Sequence, residues 1–149
     1  MVDPAGPDLA PFLADCWKAM MDELSMAPGG LVPDWRDRLI GYFAAGISAG
    51  TQGWFVARAS DGTPFGSAGA LIGETSLIYA YPWATLAGVF VRPEYRRQGA
   101  ARALTEAAID WARRRGCAVV RLIASQEAEP LYRGLGFTDG RELRLQLRP

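Results

Sequence analysis

Residues 89–102, Val-Phe-Val-Arg-Pro-Glu-Tyr-Arg-Arg-Gln-Gly-Ala-Ala-Arg, hold more chemistry than any other stretch of this chain. An apolar β-branched run stops at Pro93, a short turn follows, and Gly99, Ala100 and Ala101 open a helical pattern that continues to Arg115. A strand that hands over to a helix through small residues leaves several backbone N–H groups unpaired at the positive end of the helix dipole. Such a step suits a phosphorylated ligand. Its three small residues let the ligand approach the main chain, and Arg96, Arg97 and Arg102 add positive charge. Taken alone, the step is as compatible with an ordinary helix start as with a binding site.

A second constellation, Ser125–Gln–Glu–Ala–Glu–Pro–Leu–Tyr–Arg–Gly–Leu–Gly–Phe137, places Tyr132 shortly after the next strand pattern. A parallel pair at this point splays at its carboxyl ends, where open sheets hold ligands. The elements around these two segments follow from periodicity. Residues 1–8 read as a loose lead with Asp8 as an N-cap, and residues 9–24 carry the three-four apolar spacing of an amphipathic helix. After a 27–33 loop, a second helix covers 34–49. Strand patterns follow at 54–59, 64–72, 77–81 and 85–91, with Asp61-Gly62 as a turn. The 100–115 helix stops at Gly116, 118–124 reads as a short central strand interrupted by Arg121, and 129–135 as a short helix. Phe137 and 142–147 give the last strands. The order implies one α/β domain over 1–149, a mixed sheet flanked by about four helices with splayed central parallel strands. The aromatics Trp35, Tyr42, Trp54, Tyr79, Tyr81 and Trp83 read mostly as core, with 79–83 also placed to line a pocket for an apolar or aromatic amine.

With these motifs together, residues 85–137 resemble the signature half of the GCN5-related N-acetyltransferase (GNAT) family. The family's Gln/Arg-x-x-Gly-x-Gly/Ala motif stands here as Arg96-Arg97-Gln98-Gly99-Ala100-Ala101. It is preceded by Val91-x-Pro93-x-Tyr95 and followed by Ala128-x-x-Leu131-Tyr132-x-x-Leu135-Gly136-Phe137. The resemblance implies that Arg97, Gln98, Gly99, Ala100, Ala101 and Arg102 wrap the pyrophosphate of acetyl-coenzyme A. It implies that Val89, Phe90 and Val91 offer strand-edge amides to the pantetheine arm, one of them facing the thioester carbonyl. Tyr132 matches the tyrosine that many members use to protonate the departing thiolate.

The chain also departs from the pattern. Ser125 stands where many members have asparagine, and its hydroxyl takes over ligand contact more weakly. Val120 stands where N-terminal acetyltransferases often carry a glutamate. The family's first strand is missing or cut to a stub before Leu9. For the general base, Glu74 is preferred over Glu127 and Glu129, each of which also reads as a surface charge. Arg96 reads as a salt-bridging residue as readily as a phosphate contact, and Arg113, Arg114, Arg115 and Asp110 read as structural.

Composition narrows the rest. The chain has 149 residues, zero formal net charge and no histidine. Zero charge gives no bulk attraction to nucleic acid or anionic lipid, and the missing histidine removes His-based triads and the common zinc sites. No metal is expected. Cys16 and Cys117 read as buried reduced thiols, so an acetyl-cysteine route is not expected. The absence of a membrane-length apolar run and of a signal-peptide pattern makes the cytoplasm the expected compartment. The expected activity is acetyl transfer from acetyl-coenzyme A to a primary amine, on a small molecule or a protein, by direct attack in a ternary complex. A non-catalytic acyl-coenzyme A sensor or partner module and a nucleotide-binding protein are the rivals. A homodimer fits the family's habit of pairing near the C-terminus.

Overall fold

The computed structural model describes residues 1–27 and 29–147; Pro28, inside the expected 27–33 loop, lies outside them, as do Arg148 and Pro149. Two helices, α1 (Ala10–Glu23) and α2 (Trp35–Ala49), precede most of the sheet. Asp8 does not cap α1. It sits in a 3-10 turn at Pro7–Leu9, and α1 starts behind Leu9 without a side-chain cap. Pro11 in the first turn of α1 lacks the N–H that a cap would satisfy. Gly50, at φ 69°, ends α2 in the left-handed conformation expected of a glycine stop.

The sheet runs β1 (Val2–Pro4), β2 (Gln52–Arg58), β3 (Pro64–Ile72), β4 (Trp83–Val91) and β5 (Val119–Arg121), in that spatial order. All neighbours are antiparallel except β4 and β5. The N-terminus is therefore not loose. Val2, Asp3 and Pro4 pair with Ala57, Val56 and Phe55, and the Ala5 N–H donates to Trp54 O at 2.8 Å. The first strand is the stub that the family comparison allowed.

Alternation along β2 divides the core. Trp54 and Val56 face α1 and α2, packed with Leu13, Ala14 and Phe43. Phe55 and Ala57 face the opposite layer, where Ala68, Ala70, Leu86 and Val91 meet Leu104, Ala108 and Ala112 of α3 (Ala100–Arg114) and Tyr132 of α4 (Glu129–Gly134). The small residues of β3 and β4 make room for Trp54: a Cβ on Gly69 or Gly88 would lie 2.6 Å from its ring. Of the six aromatics expected mostly in the core, only Trp54 is fully buried. Tyr42, Tyr79, Tyr81 and Trp83 are exposed.

Three strand expectations differ from the structure. Residues 77–81 form no strand. A 3-10 turn at Glu74–Ile78 takes the β3–β4 connection, closed by the Trp83 N–H donating to Ser76 Oγ. β5 is three residues long and outermost among the described residues, because the chain leaves β4 after Arg121. Phe137 lies in no strand, and residues 142–147 alternate like a strand but join no ladder, with Leu143, Leu145 and Leu147 exposed.

Gly88 carries both kinds of constraint, a φ of 61° and the Trp54 ring where a side chain would go. Gly88→Ala is expected to cost about 3 kcal/mol, from left-handed strain and overpacking together. Urea unfolding measures it.

Candidate active site

Where β4 and β5 part company sets the site. Their ladder covers Trp83↔Val119, Ala84↔Val120 and Thr85↔Arg121 and stops there, while β4 continues to Val91. On its other edge β4 carries one extra residue: Ser67 pairs with Phe90 and Gly69 with Ala87, so Gly88 and Val89 together oppose Ala68. The buried Ser67 hydroxyl donates to Gly88 O at 2.9 Å and fixes this bulge. A bulge bends and twists its strand. Val89, in the bulge, and Phe90 and Val91 beyond it have no strand beside their β5-side edge among the described residues.

The turn after β4 contains two left-handed residues, Arg97 at φ 61° and Gly99 at φ 83°. Gly99 is the N-cap of α3, and no side chain caps the helix. The first helical amide bonded to a turn carbonyl is Ala103, 3.0 Å from Gly99 O, which leaves the amides of Ala100, Ala101 and Arg102 facing outward. A Cβ on Gly99 would meet nothing within 4 Å, so the space above this turn is open. Uncapped amides, open space and the dipole fit a diphosphate. Gln98 is exposed beside them.

The three arginines divide. Arg96 is a staple, with its guanidinium on both Glu23 oxygens at 2.7 and 2.9 Å, its Nε on Val91 O at 2.8 Å, and its plane over Phe90. Arg97 is exposed and has no carboxylate partner among the described residues. Arg102 pairs with Glu106 at 2.9 Å and lies alongside Gly134, 3.9 Å from where a Cβ there would stand, so the start of α3 adjoins α4.

Tyr132 packs in the same cluster as Val89, Val91, Ala100 and Ala101. Its ring meets Phe137 edge-on at 5.8 Å, and burial pushes its pKa above the usual tyrosine range. The phenol oxygen has no protein partner among the described residues, and it is not sealed in. Thr105 Oγ1 is the one fully buried side-chain oxygen or nitrogen lacking a partner there. Tyr132 also lines a groove of about 1090 Å³ on the outer side of β5, which takes in none of residues 89–102. Ser125 receives the Ala128 N–H on its Oγ at 3.3 Å and so caps the approach to α4, keeping its own proton to donate.

Glu74 opens the 3-10 turn and is exposed. Its neighbours Gly73 and Thr75 line a second groove of about 490 Å³ together with Thr85 and Arg121, whereas Glu74 does not. The structure thus packs Val89, Val91, Ala100, Ala101 and Tyr132 into one core cluster and leaves Glu74 exposed, outside the groove that its neighbours line. Two contributors escaped the sequence reading. Gly88 signals itself as a glycine inside a β-branched run, and Arg121 as a guanidinium in an otherwise apolar strand.

Neither thiol is activated. Burial pushes Cys16 from the usual 9.0 up to about 11, offset in part by Ser67 and Arg92, and desolvation also raises Cys117, which is only partly buried. No group of three or more His, Cys, Asp or Glu converges among the described residues, and none of their helices is long and apolar enough to cross a membrane.

A bulged antiparallel strand diverging from a parallel neighbour, beside an uncapped Gly/Ala helix start, defines the architecture of the site. The model of the Acetyltransferase (GNAT) family matches residues 17–137, and the chain belongs to that family. No curated protein sequence matches it. Among solved structures it is similar to a predicted acetyltransferase of Clostridium acetobutylicum solved with acetyl-CoA, at 18% identity and TM-score 0.81 over 99% of this chain and 96% of that one. It is similar to a GCN5-related N-acetyltransferase of Ralstonia eutropha JMP134, at 19% identity and TM-score 0.78 over 99% and 97%. It also resembles AAC(6')-Iy in complex with the bisubstrate analogue CoA-S-monomethyl-acetylneamine, at 21% identity and TM-score 0.71 over 100% and 97%.

Two measurements follow. Arg97→Ala is expected to weaken coenzyme A binding about tenfold in calorimetry with no change in Tm, since it breaks no internal contact. Arg96→Ala should instead cost about 1 kcal/mol of stability through its lost Val91 and Glu23 bonds. The second measurement concerns pH. A thiol whose folded pKa is raised keeps its contribution below pH 9 and loses it towards pH 11, because the unfolded chain ionises first. Stability should fall on the order of 2 kcal/mol across that window. Cys16→Ala should flatten the fall in unfolding curves taken at each pH.

Proposed function

We propose that this acetyltransferase moves an acetyl group from acetyl-coenzyme A to a primary amine by direct attack within a ternary complex. The observation that carries the reading is a set of three features around β4 and α3: an edge at 89–91 with no strand beside it among the described residues, the uncapped amides of 100–102, and the phenol of Tyr132, unpartnered among those residues and packed in the same cluster as Val89, Val91, Ala100 and Ala101. Acetyl-coenzyme A supplies the activated acyl group as a thioester.

The main-chain amides at 97–102, with Arg97 and Arg102, hold the diphosphate. The free edge at 89–91 accepts the pantetheine amides as an added strand, and one of its N–H groups steadies the developing oxyanion. Ser125 donates its hydroxyl to the arm. Tyr132 holds a proton at its phenol oxygen and lends it to the departing sulfur. Desolvation suits this role, because a raised pKa keeps the phenol protonated through mildly alkaline pH. Among the described residues no carboxylate, Glu74 included, lines the smaller groove, so the amine's proton leaves through water at the margin where Glu74 stands.

That lack of a lining carboxylate also favours the sensor reading, in which the fold binds acyl-coenzyme A without turnover. Tyr132→Phe separates the two. The transfer reading expects kcat to fall about a hundredfold, with the Kd for acetyl-coenzyme A within about twofold of the parent. Tight binding without thiol release from any amine in the parent protein would establish the sensor.

A further inference from the structure

Resting on that transfer reading, we infer that the acceptor is an aromatic amine bearing a carboxylate, anchored through Arg121. The smaller groove holds about 490 Å³, room for one ring system with a short side chain. Its wall is aromatic: Tyr79, Tyr81 and Trp83 are 60%, 71% and 49% exposed, a large unpacked π surface for a chain this size. Ser76 and Thr85 add hydroxyls. No aspartate or glutamate among the described residues lines it.

Among the described residues Arg121 supplies the groove's only charge. Its Nε reaches Thr85 Oγ1 at 3.3 Å and its guanidinium lies 6.0 Å from the Trp83 ring, but it has no carboxylate partner among the described residues. Thr85 and Arg121 are also the last paired residues of β4 and β5. The cation therefore stands at the vertex from which the strands diverge.

This arrangement selects by charge. A polycationic amine would face a fixed guanidinium with no countercharge in the groove. An amine with a carboxylate satisfies the guanidinium in a bidentate pair while its ring lies on the aromatic wall. The groove thus recognises compounds of the aromatic amino acid type.

The test uses the full chain with saturating acetyl-coenzyme A and reads thiol release. The acceptors are L-phenylalanine, L-tyrosine and L-tryptophan, their decarboxylated amines phenethylamine, tyramine and tryptamine, and neamine as a polycation. For the best amino acid, kcat/KM should exceed that of its own amine by about tenfold. Arg121→Gln should reduce this ratio to less than about twofold, and Arg121→Lys should restore part of it. Calorimetry of the same amino acid into the coenzyme A complex, for parent and Arg121→Gln, gives a readout independent of turnover. Arg121-dependent binding without acetylation would uphold the acceptor class and sink the transfer reading. Acetylation favouring neamine or the simple amines, or a ratio indifferent to Arg121→Gln, would overturn the inference and leave transfer standing. An amino acid that neither binds nor reacts would overturn it as well.

Discussion

The hydrogen bond from Ser67 to the Gly88 carbonyl fixes the bulge in β4, three residues beyond the last pair that β4 makes with β5. It holds one surplus residue in β4, and the bend this produces carries residues 89–91 away from the line that β5 follows. Behind the bulge, the Trp54 ring fills the space left by Gly69 and Gly88 and is itself held by Phe43 at 4.6 Å and Trp17 at 6.3 Å. The layer of α1 and α2 is thus the rigid backing of a gap on the far side of the strand. Larger residues at 69 or 88 would move the tryptophan, and with it the line of β4.

Electrostatics act locally in a chain whose charges cancel overall. Arg96, Arg113 and Arg133 are tied to carboxylates and serve the fold. Among the described residues Arg97 and Arg121, like Arg92, Arg114, Arg115 and Arg141, have no carboxylate partner, and these two stand at either end of the diverging part of β4: one at the helix step, the other at the vertex of the splay. A diphosphate at the first and an anionic acceptor at the second would complete two unmet charges with the reacting groups between them. The neutral total conceals this division.

Local signals were readable, and those that need a partner were not. The helices at Ala10–Glu23 and Ala100–Arg114, and the strand at Pro64–Ile72, follow from periodicity and glycine stops. The Gly/Ala step announced the uncapped helix start because small residues and backbone amides are properties of the segment itself. Residues 77–81 misled, since their aromatics suggest a strand, while the Ser76 hydroxyl captures the Trp83 amide and closes a turn instead. The exposed Tyr79, Tyr81 and Trp83 line the smaller groove, one of the two readings the sequence left open, since aromatic content does not say whether a wall faces the core or a groove. Residues 142–147 alternate as a strand should, but alternation sets a face and not a pairing partner. The positive φ at Arg97 and the bulge at Gly88 are backbone conformations imposed by tertiary packing, visible beforehand only as a basic residue before a glycine and a glycine in a strand.

The central claim is that residues 97–102 grip a diphosphate so that a thioester arm runs along 89–91. Amide chemical-shift mapping during a titration of the full chain with acetyl-coenzyme A tests it most directly. The account requires the largest shifts at Gln98 to Arg102 and along Val89 to Val91, saturating together with one Kd. Shifts clustered elsewhere, for instance in the large groove outside β5, with 97–102 unmoved, would contradict it.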